Sequence, residues 1–350
     1  MKTKKIKVLL GAYIDTINAQ NINCYHIAKY LNKEKFEIHV LYHKEKKLSE
    51  KGIIYHRISS NRYLKNIQKL LLLCLLRYDL VYLPRCEQVD LLFTARFKNR
   101  RCIISSYEIE SLFKVKKLVR FFGNVFDAFA ISRDLQKRAM LMYKRDIQLL
   151  YLGCDHLYNR EEINFKERLQ RVIFIGSVVE RKRPFLFVKL AECFSDLEFI
   201  LIGDGDQLPI LKDYVQQACI KNVTFKGRLP NELVYVELQQ ADLLLMTSKS
   251  EGLPKVILEA ASVGVPSVYF NEMYSVDYIQ DGINGYGVRN EIEMKQLLTY
   301  LSQQPKKMHS LSLNAYDISL KYDWKRLIKD YESYFSFIVK KYEAYHRSIS

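Results

Sequence analysis

Two glutamates eight positions apart are the strongest chemical signal in this chain. Glu251 and Glu259 lie in the segment SEGLPKVILEAASVGVPSVYF. Pro254 suits the first position of a helix and Gly264 suits its end, so the pattern predicts a helix over residues 254–263. Backbone amides and the helix dipole at such a start attract anions. Two carboxylates would repel a phosphate that both of them touched. They are better suited to accept hydrogen bonds from hydroxyl groups on either side of a diphosphate.

The segment resembles the E-x7-E signature of the large retaining, metal-independent glycosyltransferases called family 4, whose architecture is GT-B. Other segments resemble the same family, in the family's order: YLGCD (151–155), RVIFIGSVVERKRP (171–184), EFILIGDGDQL (198–208), NVTFKGRLP (222–230), ADLLLMTSKSEG (241–252) and DGINGYGV (281–288). The resemblance is strong over residues 148–290 and weak before them. It implies a nucleotide-diphosphate-sugar donor, transfer with retention of anomeric configuration, no cofactor and no metal ion.

Carried over by position, the resemblance gives individual residues roles in a donor site. It places Glu259 on the ribose hydroxyls, Glu251 on the donor sugar and Lys182 on the diphosphate. Where the family has a partner arginine this chain has Ser177, and the neighbouring Arg181 is expected to supply the missing charge. The implied donor-binding residues are Gly176, Ser177, Lys182, Gly203, Asp204, Lys226, Arg228, Glu251, Gly252, Leu253, Pro254, Lys255 and Glu259. Glu251, Lys182 and Arg181 are also expected to be catalytic.

Each of these residues also has an ordinary structural explanation. A carboxylate such as Glu251 or Glu259 near a helix start is stabilised by the helix dipole without any ligand. Lys182 and Arg181 lie in a charged loop, where solvated side chains are common. The triplet GDG (203–205) fits a plain turn at the end of a strand.

The first half of the chain departs from the family pattern. Many members carry a histidine near the end of a middle strand, facing the donor sugar, whereas RCIISSYEIESLF has SSYE at the comparable place. Glu108 is therefore the candidate catalytic carboxylate of this half, with Glu110 as a second candidate and a structural role as the alternative. The loop AYIDTINAQNIN also lacks the paired glycines of the family.

Short β-branched or aromatic runs alternate with segments of helical period, a pattern typical of βαβ units around a parallel sheet. The predicted strands are 6–14, 36–42, 52–58, 79–84, 101–106, 127–132, 148–152, 171–176, 197–203, 222–227, 241–247 and 266–270. The polar stretch NREEINFKERLQ (159–170) is a candidate linker between two such series. Apolar residues at helical spacing between Tyr322 and Tyr345 predict a long amphipathic helix.

These elements predict an α/β protein of GT-B architecture, with two Rossmann-like domains facing across a cleft. Residues 1–156 are expected to bind the acceptor and residues 157–321 to bind the nucleotide-sugar donor. The resemblance implies that the C-terminal helix, 322–350, packs back against the first domain. In such sheets ligands bind at the carboxyl ends of the strands.

The net charge of +16 comes from the first half of the chain. Residues 1–156 hold 30 Lys and Arg against 14 Asp and Glu, and the remainder holds 25 of each. A basic half favours nucleic acid or anionic lipid as partner, with a solvated surface as the alternative. Sugar-nucleotide motifs have no purpose in a nucleic-acid-binding protein, so we expect an anionic membrane surface and a lipid-linked or saccharide acceptor.

Six basic residues are expected to hold the first domain to that membrane: Lys65, Lys69, Lys114, Lys116, Lys117 and Arg120. The apolar run 70–76 either adds shallow contact or forms a buried core helix. It is far shorter than the ~18–20 residues of a membrane span, and the apolar run at the N-terminus is too short for a signal peptide.

Seven scattered cysteines without metal-ligand spacing indicate reduced thiols. We therefore expect a cytoplasmic protein, peripheral on the inner face of the cell membrane, that acts in bacterial surface polysaccharide synthesis such as capsule or O-antigen assembly. The alternatives are a nucleotide-sugar epimerase of the same fold and a non-catalytic protein that binds nucleotide sugars.

Overall fold

A computed structural model describes residues 4–16, 18–46, 51–84, 86–108, 115–251, 253–272 and 276–348. The chain divides into two compact units. The first is Met1–Leu152 with Trp324–Ser350, and the second is Gly153–Asp323. Each unit is built on one parallel sheet with helices between the strands, which confirms the predicted α/β class.

The described residues of the first unit form a seven-stranded parallel sheet. Its strands are β1 (Ile6–Tyr13), β2 (Phe36–Tyr42), β3 (Ile53–Arg57), β4 (Leu80–Tyr82), β5 (Ile103–Tyr107), β6 (Asp127–Ala130) and β7 (Gln148–Leu149). They are ordered β3-β2-β1-β4-β5-β6-β7. The order reverses between β1 and β4, and ligands of such sheets bind at this switch point.

Five helices lie between these strands: α1 (Ala19–Tyr30), α2 (Arg62–Leu75), α3 (Gln88–Arg96), α4 (Lys116–Asn124) and α5 (Arg133–Tyr143). Polar side chains fix where helices begin. Asn18 accepts the amide of Asn21 at 3.0 Å, and Ser132 caps α5 through the amide of Leu135. The strands are apolar and largely buried, as expected for a parallel sheet with covered faces.

The described residues of the second unit form a six-stranded parallel sheet. Its strands are β8 (Arg171–Ile175), β9 (Glu198–Ile202), β10 (Val223–Gly227), β11 (Leu243–Met246), β12 (Ser267–Phe270) and β13 (Gly285–Val288). The order β10-β9-β8-β11-β12-β13 repeats the pattern of the first unit, with the switch point between β8 and β11. The helices are α6 (Pro184–Cys193), α7 (Leu208–Gln217), α8 (Asn231–Gln240), α9 (Lys255–Ala261), α10 (Glu291–Ser302) and α11 (Pro305–Ser319).

All twelve predicted strands are confirmed, but β13 is not among them. Two of its four residues, Gly285 and Gly287, are of a type depleted in strands. A Cβ at Gly285 would lie 2.4 Å from the carbonyl oxygen of Ser267, so glycine is required where this strand approaches β12. Close packing against a neighbour therefore made the strand unrecognisable by propensity.

The last helix, α12 (Trp324–Arg347), belongs to the first unit. Its apolar face is buried as predicted, through Trp324, Leu327, Ile328, Tyr331, Tyr334, Phe335 and Ile338. The hydroxyl of Tyr331 donates to the carbonyl of Tyr151 at 3.1 Å. Tyr334 and Lys341 both donate to the carboxylate of Asp127, at 3.3 and 2.9 Å.

The chain passes between the units at 152/153 and 323/324 rather than at the expected 156/157 and 321/322. Cys154 accounts for the difference. Its amide donates to the carbonyl of Tyr322 at 3.0 Å, and it forms an isolated parallel bridge with Asp323. These bonds fix both connecting segments to the second unit.

The predicted linker 159–170 is wrong, because this stretch packs within the second unit. Ile163 and Leu169 are buried there. Lys166 is buried as well. Its backbone amide donates to the hydroxyl oxygen of Ser312 at 2.9 Å, and its side-chain amine donates to the carbonyl of Gln239. Its polar composition therefore reflects specific buried hydrogen bonds as well as exposed charge.

Candidate donor site

The loops that follow β8 and β11 meet at the switch point of the second unit. A 3-10 turn over Glu180–Lys182 carries Arg181 and Lys182 after β8. The segment after β11 leads to Glu251. The hydroxyl of Thr247 donates to the carbonyl of Lys182 at 2.7 Å, and the amide of Lys249 donates to the carbonyl of Arg181 at 3.0 Å. These bonds join the two loops that carry the charged candidates.

Glu251 is the carboxylate on which both predicted cations converge. Its Oε1 forms an ion pair with the amine of Lys182 and lies 3.3 Å from Nη1 of Arg181. The Lys182 and Glu251 side chains are 13% and 12% exposed, whereas Arg181 is 51% exposed. Two cations against one anion leave one positive charge in excess, with a guanidinium open to solvent. Such a cluster attracts an anionic ligand.

The third segment of the site is the turn after β9. Gly203 has φ +147°, and a Cβ on it would lie 1.8 Å from the carbonyl oxygen of Gly176. The amide of Val178 donates to the carbonyl of Asp204 at 2.9 Å. A Cβ on Gly176 would in turn meet the amine of Lys182 at 3.6 Å. Glycine at these positions brings the turn against the Lys182 loop, and the predicted Gly176, Lys182 and Gly203 therefore lie together.

The helix that follows Glu251 is shorter than predicted. α9 covers seven residues, with Pro254 as its N-cap at φ −75° and ψ 94° instead of its first helical residue. It ends at Ala261 because the next amides form tight i to i−3 bonds, as from Gly264 to the Ala261 carbonyl at 2.9 Å. Gly264 has φ +72°, consistent with its expected place beyond the helix end. The helix dipole is therefore weaker than a ten-residue helix would supply.

The other residues expected around this start are placed as follows. Leu253 and Pro254 are buried, and Lys255 is half-buried in the first turn of α9. Gly252 lies outside the described residues. Ser177 is exposed after Gly176.

Glu259 lies one turn after Lys255 in α9. Burial raises the pKa of its carboxyl; Lys255 opposes this effect and Asp155 adds to it. The residue as a whole is partly accessible. A carboxylate in such a place stabilises a ligand that offers hydroxyl donors, because a buried acceptor is costly to leave unpaired.

Two basic residues predicted to bind the donor, Lys226 and Arg228, lie outside the Glu251 cluster. Lys226, near the end of the edge strand β10, pairs with Glu237 at 3.0 Å. Arg228 is exposed after Gly227. Among the described residues neither contacts Glu251, Lys182 or Arg181.

Arg183 is a site residue that the sequence analysis missed. It has φ +48° and ψ 51°, an uncommon conformation for a side chain with a Cβ. Its Nε donates to the carbonyl of Thr247 at 2.5 Å, and its Nη1 pairs with Glu272 at 2.6 Å. The guanidinium also lies over the ring of Phe270, 4.5 Å from its centroid. Arg183 thus joins the Lys182 loop to the segments after β11 and β12. The signal available in the sequence was its position directly after Lys182, a predicted ligand.

Glu108 directly follows β5 in the first unit and is buried. Its Oε1 accepts from the hydroxyl of Ser106 at 2.7 Å and from that of Tyr82 at 3.5 Å. Burial raises the pKa of Glu108 to about 7, although these hydroxyls and the side chains of Asn23 and Gln20 favour ionisation. A carboxyl with a pKa near 7 suits proton transfer. Glu110 lies outside the described residues.

The expectation that Lys65 and Lys69 face a membrane is wrong. Lys69 is only 1% exposed and lies 2.8 Å from Asp90 and 3.1 Å from Glu87. Lys65 pairs with Glu87 at 2.7 Å. Their charges are neutralised inside the unit because α2 turns these two side chains towards α3 and the segment before it. Of the other expected contacts, Lys114 lies outside the described residues, and Lys116, Lys117 and Arg120 are exposed.

Two concavities elsewhere in the second unit do not coincide with the cluster. One, of about 400 Å³, is lined by residues of α7 and β10 that include Lys212 and Phe225. The other, of about 420 Å³, lies at the amino ends of strands and is lined by residues that include Arg171, Glu198 and Asp242. Ligands of parallel sheets bind at the opposite, carboxyl ends, so we place the candidate site at the loops. In the described part of the chain no three His, Cys, Asp or Glu residues are grouped to hold a metal ion.

A comparison with known families matches most of the second unit. Residues 157–318 match the family model described as glycosyl transferases group 1. The second unit is thus similar to the glycosyl transferases of this group. All the charged candidates of its switch point lie within the matched residues.

The curated relatives that this chain matches act on different kinds of molecule, according to their names. The chain is 29% identical over 143 residues to 2-deoxystreptamine N-acetyl-D-glucosaminyltransferase of Niallia circulans, covering 37% of each protein. It is 28% identical over 156 residues to alpha-monoglucosyldiacylglycerol synthase of Acholeplasma laidlawii, covering 44% of this chain and 37% of that protein. It is 25% identical to O-antigen biosynthesis glycosyltransferase WbnH of Escherichia coli, covering 47% of each. The chain thus spans less than half the length of these relatives.

Solved structures extend the likeness to nearly the whole chain. The complex of Anabaena HepE with UDP-glucose has a TM-score of 0.75 at 18% identity, covering 95% of this chain and 99% of that one. Sucrose-phosphate synthase of Thermosynechococcus elongatus has a TM-score of 0.79 at 14% identity, covering 97% and 100%. At this level of identity the likeness shows the fold, and it confirms the predicted two-domain GT-B class.

Proposed function

We propose that this protein is a glycosyltransferase that takes a sugar from a nucleotide-diphosphate donor. The observation that carries the proposal is the cluster of Lys182, Arg181 and Glu251 at the switch point of the second unit. In the neighbouring structure that binds UDP-glucose the ligand is also a nucleotide-diphosphate sugar, which supports this donor class.

The roles proposed for the cluster follow from its charges. Lys182 and Arg181 stabilise the negative charge that develops on the leaving diphosphate, which is the main demand of the reaction. Glu251 accepts hydrogen bonds from the donor sugar while it holds both cations in place. Glu259 accepts from the ribose hydroxyls. With two preorganised cations beside the phosphate, transfer is proposed to proceed without a metal ion.

We further propose that the anomeric configuration is retained. Front-face transfer needs no separate base on the opposite side of the sugar, since the leaving phosphate itself takes the acceptor proton and the protein orients both substrates. In the first unit, Glu108 is the candidate to orient the acceptor hydroxyl.

The proposed acceptor is a lipid-linked saccharide at the inner face of a bacterial membrane. One relative is named for a glucosyldiacylglycerol and another for O-antigen biosynthesis, which supports a membrane-bound acceptor. The excess charge of the first half supports an anionic surface. Within the described residues, no helix combines the length and hydropathy that a membrane span requires.

A ligand panel followed by a transfer assay tests the proposal. UDP-, GDP- and CDP-sugars are compared by thermal shift, since a ligand at 100 times its dissociation constant adds about 2.7 kcal/mol of stability. The best donor, radiolabelled, is then incubated with membrane extract with and without EDTA, and the anomer of the product is assigned by NMR. Label in the lipid fraction, undiminished by EDTA, is expected. Interconversion of the sugar without transfer would indicate an epimerase, and binding without turnover a non-catalytic protein.

A further inference from the structure

One helix of the first unit exposes an apolar face to solvent. Tyr63, Ile67, Leu71 and Leu75 follow one another at a spacing of four residues along α2, with Leu64 beside them. They are 77%, 56%, 52%, 74% and 52% exposed, in that order. Residues four apart share a helix face, so these side chains form one continuous strip, which we call the α2 strip. The expectation that 70–76 forms a buried core helix is therefore wrong.

The opposite side of α2 explains this orientation. Among the described side chains of the helix, Lys69 and Leu73 are buried, and Lys69 is fixed there by Asp90 and Glu87. Helix α2 thus buries a lysine beside Leu73 while it exposes Leu64, Leu71 and Leu75, which departs from the usual arrangement of a surface helix. The ion pairs of Lys69 specify the rotation of the helix and keep the α2 strip outward.

The exposed charges of the segment that holds α2, α3 and α4 carry one sign in the described residues. Helix α2 packs against α3, and α3 packs against α4. Of the described residues between 59 and 125, seven basic residues are exposed: Arg77, Arg96, Lys98, Arg100, Lys116, Lys117 and Arg120. The described acidic residues of the same stretch, Asp79, Glu87, Asp90 and Glu108, are all buried or half-buried.

We propose that the α2 strip inserts into the surface of an anionic bilayer while the surrounding Lys and Arg contact lipid headgroups. An amphipathic helix of 14 residues lying in the interface, about 21 Å long, buries its apolar face in the headgroup and acyl boundary. The choice of occupant rests on charge complementarity and on the lipid-linked acceptor of the proposed function. A second copy of the chain would place like charges opposite each other, and nucleic acid offers nothing for a leucine strip.

A fluorescence experiment with the full chain tests the insertion. The single native tryptophan, Trp324, is buried, so Ile67→Trp adds one reporter on the α2 strip. With vesicles of phosphatidylcholine and phosphatidylglycerol, we expect a blue shift and quenching by brominated acyl chains, neither of which wild type shows. Absence of quenching in vesicles that sediment the protein would overturn insertion and leave electrostatic adsorption.

Matched substitutions separate the α2 strip from general hydrophobicity. The double variant Leu71→Gln with Leu75→Gln is expected to lower partition into anionic vesicles at least tenfold, with an unchanged melting temperature because both side chains are exposed. Ile210→Gln, at 58% exposure on α7 of the second unit, is the control and should bind as wild type. Replacing Lys116, Lys117 and Arg120 by Gln should weaken binding at 0.1 M salt and flatten its salt dependence.

Vesicle binding and sugar transfer can be tested independently of each other. The α2 variants should keep the thermal shift by the nucleotide-diphosphate sugar, and Lys182→Ala should keep vesicle binding. Vesicle binding by the wild-type chain without any transfer of sugar would refute the proposed function alone. Equal vesicle binding by wild type, the α2 double variant and the Ile210 control would overturn the docking surface, as would binding to an acidic protein in preference to vesicles.

Discussion

Both units reverse their strand order at one point, yet the charges gathered there differ in accessibility. In the second unit, Arg181 is half-exposed beside Lys182 and Glu251, and the cluster has a positive excess. In the first unit, Lys69 and Asp90 are buried in a network that balances its charges. The same topology therefore holds a ligand-ready cluster in one unit and a structural ion network in the other. Accessibility and charge balance, more than the presence of charged residues, distinguish the two.

The largest expected effect is on the accessible cluster. Lys182→Ala should lower turnover about 100-fold, or ~3 kcal/mol, if the lysine acts as one preorganised donor to the leaving diphosphate. Steady-state kinetics with the donor identified by thermal shift measures it. Lys189→Ala, an exposed lysine on α6, is the control. Equal turnover in both variants would contradict the assigned role of Lys182.

The buried side of the comparison is tested by pH. The pKa of Glu108 is raised from an ordinary 4.5 to about 7, so between these values the folded state holds a proton that the unfolded state has lost. As pH rises through this window the protein therefore loses stability because of Glu108, by about 3 kcal/mol in all. Glu108→Gln should remove that decline, measured by urea unfolding at a series of pH values. An unchanged pH profile would contradict a buried, neutral carboxyl.

Glu87→Gln is the matched control of opposite sign. Burial opposes its ionisation, but Lys69 and Lys65 outweigh burial and lower the pKa of Glu87 to about 2. Its contribution is fully present above pH 4.5 and is lost as the pH falls towards 2. The substitution should therefore destabilise the protein above pH 4.5 and lose its effect in acid.

Next in size is the expected effect on nucleotide binding. Glu259→Ala should weaken the affinity for the free nucleoside diphosphate by about 1–3 kcal/mol, because ribose hydroxyls lose their acceptor. Glu251→Ala should lower turnover more than this affinity. Isothermal titration measures the binding, with exposed Glu291→Ala as control. Wild-type affinity in Glu259→Ala would exclude the ribose assignment.

The smallest effect concerns the residue that joins the loops. Arg183→Gly removes the bonds to Thr247 and Glu272, and we expect turnover to fall about tenfold, or ~1.4 kcal/mol, with little change in nucleotide affinity. Glycine suits the backbone at φ +48°, so stability should change little. Lys144→Gly, which has the same φ in the first unit, controls for the backbone. If both variants lost turnover equally, the effect of Arg183→Gly would be due to stability and not to the lost loop contacts.

The sequence by itself determined the alternation of strands and helices, the order of the motifs and the charged candidates of the second unit. These features are local: strand cores are continuous apolar runs, and Lys182 and Glu251 follow strands whose carboxyl ends must meet at one edge of a parallel sheet. Local signals in the sequence placed α9 to within a few residues. Its true start depended on the backbone conformation of Pro254.

Only the tertiary structure decided which charges remain accessible. Lys69 and Lys116 are the same residue type. Lys69 is buried because it contacts Asp90 and Glu87, about twenty positions along the chain, whereas Lys116 is exposed to solvent. The same ion pairs turn the leucines of α2 outward, against the expectation for an apolar run. Burial and helix rotation depend on partners distant in sequence, and no local pattern specifies them.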